Sequence, residues 1–365
     1  MRPLTRVLAI AAAALLLPAE AYCAPFIAPF STVSVQGSTV PANGDVNPYG
    51  VVLVPSSTGN LVAGNILISN FNANTVAHPN QQGTGTTIVQ MTPGGVNNLF
   101  ATVPGSACPD GIGLTTALAI VQKKFVVVGS LPTTDGTSAT AKAGCLIVLD
   151  ATGTVVTTLT NSQINGPWDM TAIDDGSKSM LFVTNVLNGT VAAAGGVVTK
   201  GTVLRLTLDF SKTPPKITDH TIIASGFPTR TDPAALVIGP TGVGLGADGT
   251  LYVADTLASR IAAIPNATKR HNSAKLGNTI GQGGALFAPL GLAVAPNTDI
   301  LTVNANDGNI VDTALDGSQT VFNLDSTANP PADPGAGTLF GLAIVPGGTG
   351  VYFVDDGSNT FNLLH

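Results

Sequence analysis

The chain has 365 residues, 15 basic and 21 acidic side chains and a net charge of −6, and only 10% of it is charged, against about 25% for an average globular domain. That balance excludes a nucleic-acid binder built on a basic patch, and a hydrophobic content of 44% excludes general disorder. The 42 glycines and 25 prolines, with abundant Thr and Val, speak against a helical bundle and for a sheet protein.

The first residues carry a leader pattern. Arg2 and Arg6 flank the start of an uncharged apolar run over residues 7–17, and Ala19-Glu20-Ala21 makes a small-x-small cleavage site, with Ala24 as a second. Residues 1–24 are expected to be a signal peptide, cleaved after Ala21 or Ala24. Residues 25–365 are expected to form a single exported domain, periplasmic or extracellular. The apolar run is too short for a stable anchor, so no stable membrane insertion is expected. Tyr22 before Cys23 speaks against lipidation. In an oxidising compartment mature cysteines pair, which predicts a Cys108–Cys145 disulfide. Two buried free thiols are the alternative.

One pattern then recurs along the chain: alternating apolar residues, a turn, a β-rich run ending in Asp or Asn, and another short strand. The sharpest copy is Pro240-Thr241-Gly242-Val243-Gly244-Leu245, followed by Gly249-Thr250-Leu251-Tyr252-Val253-Ala254-Asp255 and Ser259-Arg260-Ile261-Ala262. Related runs place anchors at residues 50, 117, 169, 242, 291 and 341, spaced by 49 to 73 residues. About four strand-like runs per unit at that period predict β-propeller blades, and six anchors predict six. The P-x-G start and the G-x-L-Y-V-A-D run of residues 240–264 resemble the NHL-repeat type of six-bladed propeller. The resemblance implies a fold and leaves the activity open, because such propellers host hydrolases, lyases and binding modules. The expected architecture is therefore all-β, with six four-stranded antiparallel blades. The last unit has one strand too few. Ser31-Thr32-Val33-Ser34-Val35 alternates well and is expected to close the ring as the outer strand of the last blade.

With strands lettered a to d from the channel outward, the b–c loops and the d–a connections lie on one face. The extra residues gather there, at 72–85, 131–143 and 187–200 between b and c, and at 104–114, 227–240 and 325–338 between d and a. Residues 265–278 form an insertion on the other side. A loop-rich rim on a rigid ring suggests a binding face. At its channel mouth the inner strands start with Tyr49, Thr116, Trp168, Thr241, Leu290 and Phe340, and Asp169 is the charged group beside them. Tyr49, Trp168 and Phe340 with Asp169 are the candidate ligand-binding residues. Aromatic faces suit sugars, apolar groups and peptide side chains, and the same rings could instead plug the channel as core.

Asn70, Asn185, Asp255, Asn304 and Asp355 recur at the ends of strand b. Their first expected role is to bond their own backbone in the following turn; calcium is the cation such a ring of oxygens would take. The gluconolactonase-like propellers carry carboxylate and amide metal ligands at the inner-strand starts, and none of the six residues above is of that kind. His78, His220, His271 and His365 do not recur with the repeat, which disfavours zinc; His78 is the one in an inserted loop on the loop-rich face. No nucleophile elbow or phosphate loop is present. The sequence favours a binding or interaction module for a small molecule, glycan or protein, with no cofactor required. A metal-dependent hydrolase or lyase with its site at the channel, and a structural cell-envelope component, are the alternatives.

Overall fold

On strand b of the second blade, Phe125–Ser130, alternate side chains enter different cores. Val126 and Val128 pack with Leu67 and Ile88 of the first blade, whereas Val127 packs with Leu181 and Leu204 of the third. Strand c of the same blade, Cys145–Leu149, repeats the alternation, with Ile147 on one side and Leu146 and Val148 on the other. A period of two with both faces apolar is what a sheet needs when it is sandwiched between two others. Each such side chain contributes about 1.5–3 kcal/mol on burial.

The computed structural model describes residues 24–77 and 79–365. It is an all-β, six-bladed propeller. The expected leader, apart from Ala24, lies outside the described residues, as does His78. The inner strands are Val46–Leu53, Leu114–Val121, Pro167–Asp175, Pro240–Leu245, Pro289–Val294 and Leu339–Ile344, and each leads an antiparallel sheet running outward in chain order. Among the described residues no helix is long and apolar enough to cross a membrane.

The N-terminal strand closes the ring. Val33–Ser38 lies outside Thr360–Leu364 of the last blade, with Val33 opposite Leu364 and Ser38 opposite Thr360. The strand begins two residues later than the alternation in the sequence suggests. Just before it, Ile27 is buried in the core, its N–H donates to Asp312 Oδ2 at 3.0 Å, and Phe26 meets Phe30 edge-on at 5.4 Å. The start of the described chain is thus tied to the fifth blade as well as the sixth.

The third blade departs from the four-strand plan. Its strand d, Lys216–Asp232, is 17 residues long. The strand outruns its sheet and turns back into Leu236–Ile238, which pairs with Arg230–Asp232. This hairpin occupies the segment expected to be the loop at 227–240.

Candidate functional site

Every inner strand loses register with its neighbour at the same level of the channel. The ladders break between Pro48 and Val51, Leu114 and Leu118, Pro167 and Met170, Pro240 and Val243, Pro289 and Leu292, and Leu339 and Leu342. A bulge releases backbone groups from the sheet, and here hydroxyls collect them. Ser69 Oγ accepts the Gly50 N–H at 3.0 Å and donates to the Thr115 carbonyl at 2.7 Å. Thr184 Oγ1 accepts the Asp169 N–H at 3.0 Å and donates to the Thr241 carbonyl at 2.9 Å. These ties join one blade to the next. Within the bulges stand Gly50, Ala117, Asp169, Gly242, Gly291 and Gly341. A Cβ on Gly242, Gly291 or Gly341 would collide with the carbonyl oxygen of Leu290, Phe340 or Tyr49 on the next inner strand. The ring is therefore narrowest here, backbone against backbone.

On the loop side of this constriction the expected aromatic residues do come together. Tyr49 stacks on Phe340 at 4.0 Å and on Phe71 at 4.7 Å, and Trp168 is 6.2 Å away. Tyr49, Trp168 and Phe340 are only 2%, 2% and 4% exposed, so the rings fill the channel and show no open face. The long loops are folded over them. Leu131 and Leu187 from two b–c loops, and Leu236 and Val237 from the hairpin of the third blade, belong to the same apolar cluster. Gln82 Nε2, from the first blade, donates to the Ala234 carbonyl of that hairpin at 2.8 Å. The loop-rich face is a cap over a plug. Burial, with Asp356 nearby, pushes the Tyr49 hydroxyl well above the usual phenol range. Burial, reinforced by Asp355, likewise raises Asp356 far above an ordinary carboxylic acid.

Beyond the constriction the channel opens toward the opposite face. The inner strands are buried at their starts and half-buried toward their ends, as at Val51 to Leu53, Ala293 and Val294, and Ala343 and Ile344. They enclose a cavity of about 290 Å³. Its walls include Val51, Leu118, Leu245 and Leu292, the threonines Thr116 and Thr171, and glycine backbone. Asp169 is the one titratable side chain lining it. Its Oδ1 accepts the Met170 N–H at 2.8 Å and its Oδ2 the Val243 N–H at 3.1 Å. Burial pushes its carboxyl up to about 7, and the two N–H donors only partly offset this. The residue keeps a partial exposure that is to the cavity, so its charge has little help from bulk water. The structure thus separates Asp169 from the three aromatic residues grouped with it in the sequence. They face the plug and it faces the cavity.

The residues ending strand b hold the loops. Asn185 Oδ1 accepts the Asn165 N–H at 2.8 Å and Asn304 Oδ1 accepts the Phe287 N–H at 3.0 Å, each reaching back to the segment before its own inner strand. Asp255 is paired with Arg260 at 2.8 Å, and Asp355 accepts the Ser358 N–H at 3.0 Å. Asn70 Nδ2 donates to the Thr39 carbonyl at 3.3 Å. A calcium ion takes six to eight oxygens. These five side chains each bond a different segment, and Asn70 Oδ1 and Asp255 Oδ1 are buried without a hydrogen-bond partner among the described residues. Among the described residues no group of three or more His, Cys, Asp or Glu side chains could hold a metal ion. Cys108 and Cys145 form the expected disulfide, with Cα atoms 5.9 Å apart and both residues buried in the core between the first two blades.

No protein-family model matches the chain, and none of the curated proteins matches it in sequence. Solved structures do resemble it. The calcium-binding protein regucalcin from Agrobacterium tumefaciens superposes with a TM-score of 0.56 at 13% identity, over 90% of this chain and 93% of that one. A gluconolactonase from Xanthomonas campestris gives 0.54 at 12% identity, over 92% and 95%. A virginiamycin B lyase from Staphylococcus aureus gives 0.48 at 13% identity, over 91% and 98%, too low a likeness to carry weight. At these identities regucalcin and the gluconolactonase establish a shared propeller architecture and nothing about chemistry.

Proposed function

We propose that the protein is an exported binding module of the NHL-repeat type, which admits a small molecule to its central channel from the face opposite the long loops. The observation that carries this reading is the asymmetry of the channel. A stacked aromatic plug and its cap fill one end, and a cavity of about 290 Å³ with one titratable side chain, Asp169, and two threonines, Thr116 and Thr171, opens at the other. Small-molecule sites are concave, mostly apolar and furnished with few polar groups, and about 300 Å³ is the lower end of their size range. The long loops, which drew attention as a binding rim, hold the plug in place. The P-x-G and G-x-L-Y-V-A-D runs support the repeat type. The leader pattern and the Cys108–Cys145 bridge, a bond that persists in oxidising compartments, support export.

The test is a fragment screen by ligand-observed NMR on the wild type and on Ala172→Phe, which places a ring at the channel wall. Fragments that bind the wild type and are lost from the variant support the channel. A screen with no hits, or hits equally strong on both proteins, would overturn it.

A further inference from the structure

Five of the six bulges carry glycine or alanine where the third carries Asp169. The neighbouring glycines are there for a steric reason, since a side chain at Gly242, Gly291 or Gly341 would run into the next strand. Asp169 satisfies no such need. Its carboxylate reaches across to Val243 N–H of the fourth blade, a bond that the other bulges do without. A buried acid that breaks a repeat at its tightest point costs stability, because a carboxylate loses its hydration there. Departures of this kind from local consistency concentrate at functional sites.

The carboxylate is also underused. Two oxygens offer about four acceptor positions, and the hydrogen bonds here are one backbone N–H on each. No Lys, Arg or His lines the cavity to neutralise it. The side chains around it are aliphatic apart from Thr171 and Thr116, the latter already bonded to the Trp168 carbonyl, and the glycine stretches bring backbone to the lumen. Such a site would accept a slender apolar body with one end that donates hydrogen bonds and carries positive charge.

Resting on the channel reading above, we infer that the ligand is a small organic ammonium compound whose cationic head pairs with Asp169 and whose apolar body lies against Val51, Leu118, Leu245 and Leu292. A charge-assisted hydrogen bond is worth more than a neutral one, so the ammonium head decides the ligand class. Size follows from the cavity: an unbranched or singly ringed body fits, a polysaccharide chain does not.

The experiment compares three probes of one shape, hexylammonium, hexan-1-ol and hexanoate, by titration calorimetry on the intact protein and on Asp169→Asn at about pH 8, where the carboxylate is ionised. Hexylammonium should bind about tenfold more tightly than hexan-1-ol to the wild type. Hexanoate should bind weakest. In Asp169→Asn the preference for the cation should vanish while hexan-1-ol still binds, which also shows that the variant is folded. Equal binding of hexylammonium and hexan-1-ol to the wild type, or a cation preference that survives Asp169→Asn, would overturn the ammonium inference and leave the channel reading standing. No binding of any probe, together with an empty fragment screen, would overturn both.

Discussion

The carboxylate of Asp169 accepts the Val243 N–H at 3.1 Å, so a side chain of the third blade is fastened to the inner strand of the fourth. The bond holds a charge-bearing group in the narrowest part of the ring, and that placement has a pH signature. Burial raises Asp169 from 3.8 to about 7, and burial with Asp299 beside it raises Asp312 to about 6. Between the unfolded value and the raised one, the native state holds a proton that the unfolded chain has released. The native state binds more protons in that window, so stability declines as pH rises through it. The melting temperature should fall between about pH 4 and about pH 7, and Asp169→Asn should flatten the upper part of that decline. A wild-type melting temperature constant across the range would contradict this.

The plug should behave as core. Trp168→Ala and Phe340→Ala should each cost about 3–5 kcal/mol in urea unfolding, the range for truncating a buried aromatic side chain. Because Trp168 is the single tryptophan, its variant is followed by circular dichroism rather than fluorescence. A loss below about 1 kcal/mol in both variants would place the rings outside the load path of the fold.

Removing the disulfide should be felt through the unfolded state. The bridge joins residues 37 positions apart, and the chain-entropy account assigns such a loop roughly 3–4 kcal/mol. Cys108→Ser with Cys145→Ser should lower stability by about that amount. The same loss should appear when the wild type is unfolded under reducing conditions. Equal stability with and without reductant would refute the contribution.

Deleting residues 24–38 should open the ring. Thr360–Leu364 would then present an unpaired edge, Asp312 would lose the Ile27 N–H, and the apolar site of Ile27 would empty. Exposed edges invite association, so the truncated protein should melt earlier and elute partly as oligomers. A monomer with unchanged melting would show that closure contributes nothing.

Much of this architecture was legible in the sequence because blades repeat. The anchors at residues 50, 117, 169, 242, 291 and 341 all fall on inner strands, and the missing fourth strand of the last blade pointed to Val33–Val35. Less legible was the division between Trp168 and Asp169. Alternation tells which residues of a regular strand share a face, but a bulge resets the count, and the bulges lie at these very positions. The cap was hidden for another reason. Leu131 and Leu187 stand at the edges of Gly- and Thr-rich loops and Leu236 opens the three-residue run Leu236–Ile238, all too short to show the period that marks an element, and only the closed ring brings them together. Asp169 itself was legible as the charged group of the channel mouth, one acid where the other anchors are four glycines and one alanine.

The pairing of Val33 with Leu364 bears on how the molecule is made. A chain synthesised from its N-terminus produces the outer strand of the last blade hundreds of residues before the rest of that blade exists. The five intervening blades can stack as they emerge, but the seam can be sewn only when Thr360–Leu364 arrives. Until then the early strand waits as an unpaired ribbon, and the growing arc has two raw ends. Closure is therefore the most long-range pairing in the fold, joining Val33–Ser38 to Thr360–Leu364, and contacts of high sequence separation are the slow ones to form.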